Sequence, residues 1–284
     1  MLNAMSIHAF QLWVGKMLNR WERRLSISKR QQFVAATGIL TAGLILTQLV
    51  GPEARYICVA FLSLLTYGVS ALVLREDLRG IEWLTLLILP ACYSAAFALF
   101  YFLLPVRWLT RIPAAALYAV GLYALLLTEN IYNVALERTI ALLRAARSVG
   151  FLLTLATYYL FSMSILAFRA PVFLNVILVG AITFLLSLPL LWSMELTTGI
   201  EKRVLALALT ITIVLMQITW VISFWPSQKP IISLFLSAVF YCLTGIAQEY
   251  LVDKLYKKTI FEFFSVSTLV FIVLLLTTNW RSAV

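Results

Sequence analysis

The feature that most constrains this chain is a run of about twenty apolar residues that recurs along its whole length, with only short polar breaks between copies. A hydrocarbon layer about 30 Å thick takes roughly 20 residues of helix to cross. Inside it every backbone N–H and C=O has to be paired within the segment, which leaves the helix as the natural form for such runs. Nine candidate spans follow: residues 33–50, 56–74, 81–104, 112–128, 148–168, 172–193, 204–225, 231–248 and 261–280. The apolar part of the fourth is short, so eight spans is the alternative. With 63% hydrophobic and 12% charged residues, the rest of the chain has too little material for a soluble domain. The expected fold is all-α, a polytopic transmembrane bundle over residues 33–284, preceded by a basic segment at 1–32.

Short loops rich in Lys and Arg stay on the cytoplasmic side. With the N-terminus inside, nine spans put 16 of the 22 Lys and Arg residues at the cytoplasmic face and 6 outside. Trp83 and Trp192 then fall at inner span ends, and Trp108, Trp225 and Trp280 at outer ones, as an interfacial aromatic belt requires. Of the 12 acidic residues only Glu53 lies outside. The expectation is a multi-pass protein of the cell (inner) membrane, with a cytoplasmic N-terminus and an external C-terminus.

The first 32 residues lack the unbroken apolar core and small-residue cleavage site of a signal peptide. Phe10, Trp13, Val14, Met17, Leu18, Trp21 and Leu25 recur at helical spacing, with Lys16, Arg20, Arg23 and Arg24 on the opposite side. This pattern predicts an amphipathic helix lying on an anionic lipid surface. Docking of a partner protein is the second reading.

The stretch TENIYNVALERTIALLRAARSVG, residues 128–150, is polar for about six helical turns and has no Gly or Pro before Gly150. At about 100° per residue, Glu129, Asn133, Glu137, Arg144 and Arg147 share one face if the helix is continuous. Such a stripe has oxygen ligands for a hard cation in its acidic half and guanidinium groups for a phosphate in its basic half. The alternative is an interfacial linker helix whose charges are solvated or paired with Arg79, Lys202 or Lys257. The block TENIYNVALERTIALLRAARSVGFLLTL, set within about residues 75–170, resembles one in uncharacterised polytopic proteins of candidate-phyla bacteria, a family known as a domain of unknown function. The resemblance implies a bacterial inner-membrane protein and carries over no activity, cofactor or catalytic residue.

Other carboxylates near the inner face are Glu82, Glu249, Asp253 and Glu262. Glu249 and Asp253 are four apart and would share a helix face. Glu262, among Phe261, Phe263 and Phe264, is either functional or paired with Lys257 or Lys258. Thr154, Thr157, Tyr158, Tyr159, Ser162, Ser164, Asn175 and Gln217 are deep neutral polar groups, read first as interhelical hydrogen bonding and second as the lining of a solute path. Pro90 and Pro189 should kink the third and sixth spans.

The single histidine, His8, lies in the N-terminal segment, which removes bis-histidine haem, HExxH zinc chemistry and histidine-based acyl transfer from consideration. Only Asp77 and Asp253 represent aspartate, too few for an Asp-rich diphosphate site, and no span carries an internal lysine for a Schiff base. Cys58, Cys92 and Cys242 show no CxxC spacing and read as small buried residues. No catalytic set, cofactor or resident metal is expected. The net charge of +10 belongs to lipid headgroups rather than to nucleic acid. Three readings stay open, in this order: a noncatalytic scaffold or subunit of a membrane assembly, with a membrane-protein partner or homo-oligomer; a small-solute or lipid transporter; and a lipid-modifying enzyme at the cytoplasmic interface.

Overall fold

A computed structural model gives the architecture and describes residues 28–47, 50, 52–74, 82–105, 107–135, 141–168, 170–197 and 199–278. The expected amphipathic helix at 1–32 lies almost wholly outside the described residues, and so does Glu137. Nine α-helices and no strand occur among those described: α1 (Lys29–Thr47), α2 (Arg55–Leu74), α3 (Glu82–Tyr101), α4 (Trp108–Ala135), α5 (Leu143–Ala167), α6 (Val172–Glu195), α7 (Lys202–Ile222), α8 (Lys229–Leu251) and α9 (Lys257–Thr277). Each of the nine expected spans coincides with one helix, its ends shifted by a few residues.

Seven helices, α2 and α4 to α9, are long and apolar enough to span a membrane. The first turn of α1 is Lys29, Arg30, Gln31 and Gln32, and the apolar part of α3 is the shorter stretch Thr85–Tyr101. The fourth helix is not short: its 28 residues give about 42 Å at about 1.5 Å per residue. Its polar tail, Thr128 to Ala135, continues the same helix beyond the apolar run that the sequence marks.

Prolines and polar residues set the helix ends. Pro52–Ala54 forms a single 3-10 turn before α2, Pro171 precedes α6, and Pro230 sits in the first turn of α8, where its missing N–H costs nothing. The chain leaves α6 through Leu196 and follows α8 with Asp253, both in the left-handed region with φ of 49° and 56°. Pro90 and Pro189 lie inside α3 and α6 as expected.

Consecutive helices run in alternating directions, so their ends gather at two faces of the bundle. At one face Asn133 Nδ2 donates to the Leu74 carbonyl at 3.3 Å, Arg147 to the Met194 carbonyl at 2.9 Å and Arg203 to the Tyr250 carbonyl at 3.2 Å. At the other, Tyr101 donates to the Arg111 carbonyl at 3.3 Å, Arg55 lies 5.3 Å from the Phe102 ring centre, and Trp225 donates to Thr278 at 2.8 Å. We call these the basic face and the opposite face.

Between the faces, hydroxyls tie helices together. Thr66 donates to Ser94 at 3.0 Å and Ser94 shares a proton with Tyr118 at 2.7 Å, linking α2, α3 and α4. Tyr158 and Thr183 join α5 to α6 at 3.3 Å, and the Tyr158 ring stacks on Phe240 of α8 at 4.3 Å. Thr154, Thr157, Thr212 and Thr219 instead donate to the carbonyl four residues back in their own helix. The centre of the bundle is α3, α5, α6 and α8. The last helix packs on α8 alone to any extent, and Leu274 is its one buried residue.

Candidate functional site

The expected stripe is divided between two helices. Within the described residues α4 ends at Ala135 and α5 begins at Leu143, so the face shared by Glu129 and Asn133 is not continued by Arg144 and Arg147. Glu129 lines one cavity and the two arginines line another.

Glu129 and Asn133 point into the bundle, 3% and 1% exposed. Asn133 is held by its bond to the Leu74 carbonyl, while its Oδ1 is buried without a partner. Glu129 lines a small pocket between α3, α4, α5 and α6, together with Thr85, Leu86, Tyr132, Thr154, Trp192 and Ser193. Space for water centres there is about 10 Å³, which is room for one water molecule. Among the described residues no hydrogen bond or ion pair reaches the Glu129 carboxyl group. Gly150 makes the pocket possible, because a Cβ at that position would lie 2.7 Å from the Tyr132 hydroxyl.

Arg144 and Arg147 lie on the face of α5 that looks outward, toward α8 and α9. With Ser148, Met194, Gln248, Glu249, Lys254 and others they line a vestibule of about 780 Å³ at the basic face. Arg147 is anchored by its bond to the Met194 carbonyl, and its Nε is buried without a partner. Arg144 is exposed. Glu249 is half-buried in the vestibule. Asp253 is not on its helix face as the spacing suggested: α8 ends at Leu251, and Asp253 turns away to pair with Arg203 at 3.6 Å.

A second cavity of about 380 Å³ continues from the vestibule along the side of the bundle. It is lined by Leu152, Leu155, Ala156 and Tyr159 of α5, Leu234, Ser237, Ala238 and Tyr241 of α8, and Val266 and Val270 of α9. The two cavities share Tyr241. On α5 their lining positions are 143, 144, 147, 148, 151, 152, 155, 156 and 159, one helix face without a break. Together they form a lateral groove, basic at one end and apolar along its body. At the junction the Tyr241 ring lies 5.5 Å from Phe151 and 5.1 Å from Phe263, an aromatic cluster joining all three helices. Phe263 reaches this place because Gly245 of α8 has no side chain to obstruct it.

Glu262 is on the outside of α9, exposed and 3.9 Å from Lys258, one turn away. Such a pair contributes little. Glu82 begins α3, but its side chain lies outside the described residues. Asn175 is buried and donates to the Ala170 carbonyl at 3.2 Å, whereas Gln217 is exposed on the outer side of α7. The three cysteines are unpaired. Tyr132, Ser193, Tyr241, Lys254 and Phe263 were not singled out by the sequence. Tyr132 lies inside the polar stretch but off its stripe, the others sit in ordinary apolar or loop contexts, and only the packing of separate helices brings each to a cavity.

A family model described as a protein of unknown function (DUF5656) matches residues 54–277. The chain belongs to this family. The match takes in α2 to α9, so all three cavities lie within the DUF5656 region, and α1 precedes it. It also extends well beyond the block at 128–155 on which the resemblance rested. No curated protein and no solved structure matches the chain.

Proposed function

We propose that this DUF5656 protein is a noncatalytic, multi-pass membrane protein that takes up an anionic phospholipid in the groove between α5, α8 and α9. The observation that carries this reading is the groove's polarity. Arg144, Arg147 and Lys254 against Glu249 leave a net positive vestibule, suited to a phosphate headgroup. The apolar part from Phe151 to Tyr159 is about 12 Å long at about 1.5 Å per residue. One leaflet of a hydrocarbon core is about 15 Å. A headgroup held by the arginines would therefore lay its chain along Leu152, Leu155 and Val266, inside a single leaflet.

The positive-inside distribution supports placing the basic face at the cytoplasm and the chain in a bacterial inner membrane, N-terminus inside. A cysteine at exposed Gln228 should then react with an impermeant reagent added outside, and one at exposed Gly199 should not; the reverse pattern contradicts the orientation. Among the three readings of the sequence, lipid handling or transport has this specific feature behind it. A scaffold role is the second reading, favoured by the outer face of α9, where Phe261, Leu269 and Leu276 are 72%, 63% and 81% exposed.

The test is to fill the groove. Ala156→Trp places an indole between α5 and α9 and should remove the phospholipid that co-purifies with the wild-type protein in gentle detergent, leaving the melting temperature nearly unchanged. Equal lipid content in the variant would refute the groove as the binding place.

A further inference from the structure

The pocket around Glu129 is a second site, separate from the groove, and its chemistry is defined by where the surrounding protons go. Thr154 donates its hydroxyl proton to the Gly150 carbonyl at 2.8 Å. Ser193 donates to the Leu190 carbonyl at 2.7 Å, and Tyr132 to the Ala146 carbonyl at 3.1 Å. The Trp192 N–H is likewise spent on the Thr197 carbonyl at 3.0 Å. What these three hydroxyls have left for the pocket is lone pairs. Leu86 adds to the same side of the balance, because Pro90 four residues on has no N–H to give its carbonyl.

Among the described residues the Glu129 carboxylate, 3% exposed, has no hydrogen-bond or ion-pair partner, and the Thr154, Ser193 and Tyr132 oxygens beside it are left to accept rather than donate, so the pocket is short of positive charge. Arg147 does not supply it, since its guanidinium is turned to Met194 and the vestibule. We propose that the pocket binds one dehydrated monovalent cation of the sodium class, with the Glu129 carboxylate as its counter-charge and Thr154 and Ser193 among its oxygen ligands. Three features select that class. Oxygen-only ligation suits a hard cation. A single carboxylate balances one charge, where calcium sites take several acidic ligands. The space of about 10 Å³ admits one water-sized body and nothing larger.

The experiment uses the purified full chain in detergent, titrated with sodium chloride against choline chloride at constant ionic strength and fixed pH. The readouts are the melting temperature and tryptophan fluorescence, because Trp192 lines the pocket. Sodium should give a saturable change in both, choline none. Glu129→Gln should abolish the response. In case that variant fails to fold, Thr154→Val and Ser193→Ala keep the carboxylate and remove one ligand each, and should shift the sodium midpoint at least several-fold upward. Trp192→Phe should lose the fluorescence change and keep the thermal one. A wild-type protein that melts identically in sodium and choline, or ligand variants with unaltered midpoints, would overturn the proposal. Because these residues do not line the groove, Ala156→Trp should leave the sodium response intact, so the two sites fail or stand separately.

Discussion

Two arginines three positions apart on α5 have different structural duties. Arg147 is partly buried and fastens α5 to the end of α6 through the Met194 carbonyl, whereas Arg144 is exposed and holds no helix. Arg147→Gln should therefore destabilise the protein by about 1.5 to 3 kcal/mol, the usual range for a hydrogen bond involving a charged group. Arg144→Gln should leave stability within about 0.5 kcal/mol. Thermal unfolding in one detergent compares them; equal losses would contradict the division. That these two arginines lie together at a span end was legible, because a guanidinium pair there is conspicuous. The burial of Glu129 was not. The sequence places it one residue past an apolar run, the usual position of a solvated helix end, and only the continuation of α4 to Ala135 carries it inside, 3% exposed.

At the scale of helices, the apolar runs gave both the number of elements and their approximate ends, because a span is set by local hydrophobicity alone. The groove was illegible for the opposite reason. Its lining comes from α5, α8 and α9, and in each of them Tyr241, Phe263 or Leu155 looks like any other member of an apolar run. Its width depends on one close approach, of Phe263 to Gly245. Gly245→Val should push Phe263 out and lift the start of α9 from α8, while the bond from Trp225 to Thr278 keeps the other end in place. Cysteines replacing Phe235 and Phe271, whose rings are 5.5 Å apart, report on the middle of that interface. In a background without Cys58, Cys92 and Cys242, their cross-linking yield should fall when Gly245→Val is added. An unchanged yield would show that α8 and α9 do not depend on that contact.

For the whole molecule, the apolar groove opens from the vestibule of Arg144, Arg147 and Lys254 at the basic face and runs along the side. A bundle closed on all sides would have α9 packed against α5 as well as α8. Here α9 has Leu274 as its one buried residue, and the gap is where the groove lies. The positive-inside pattern showed which face is basic, yet it gave no sign that the basic face and a lateral opening meet. The most direct measurement is native mass spectrometry of the full chain reconstituted with equal amounts of phosphatidylglycerol and phosphatidylcholine. The expected result is one retained phosphatidylglycerol per chain in the wild type, and loss of that preference in the Arg144→Gln, Lys254→Gln double variant. A wild-type protein that emerges without lipid, or with the two lipids in equal proportion, would contradict the assignment of the groove.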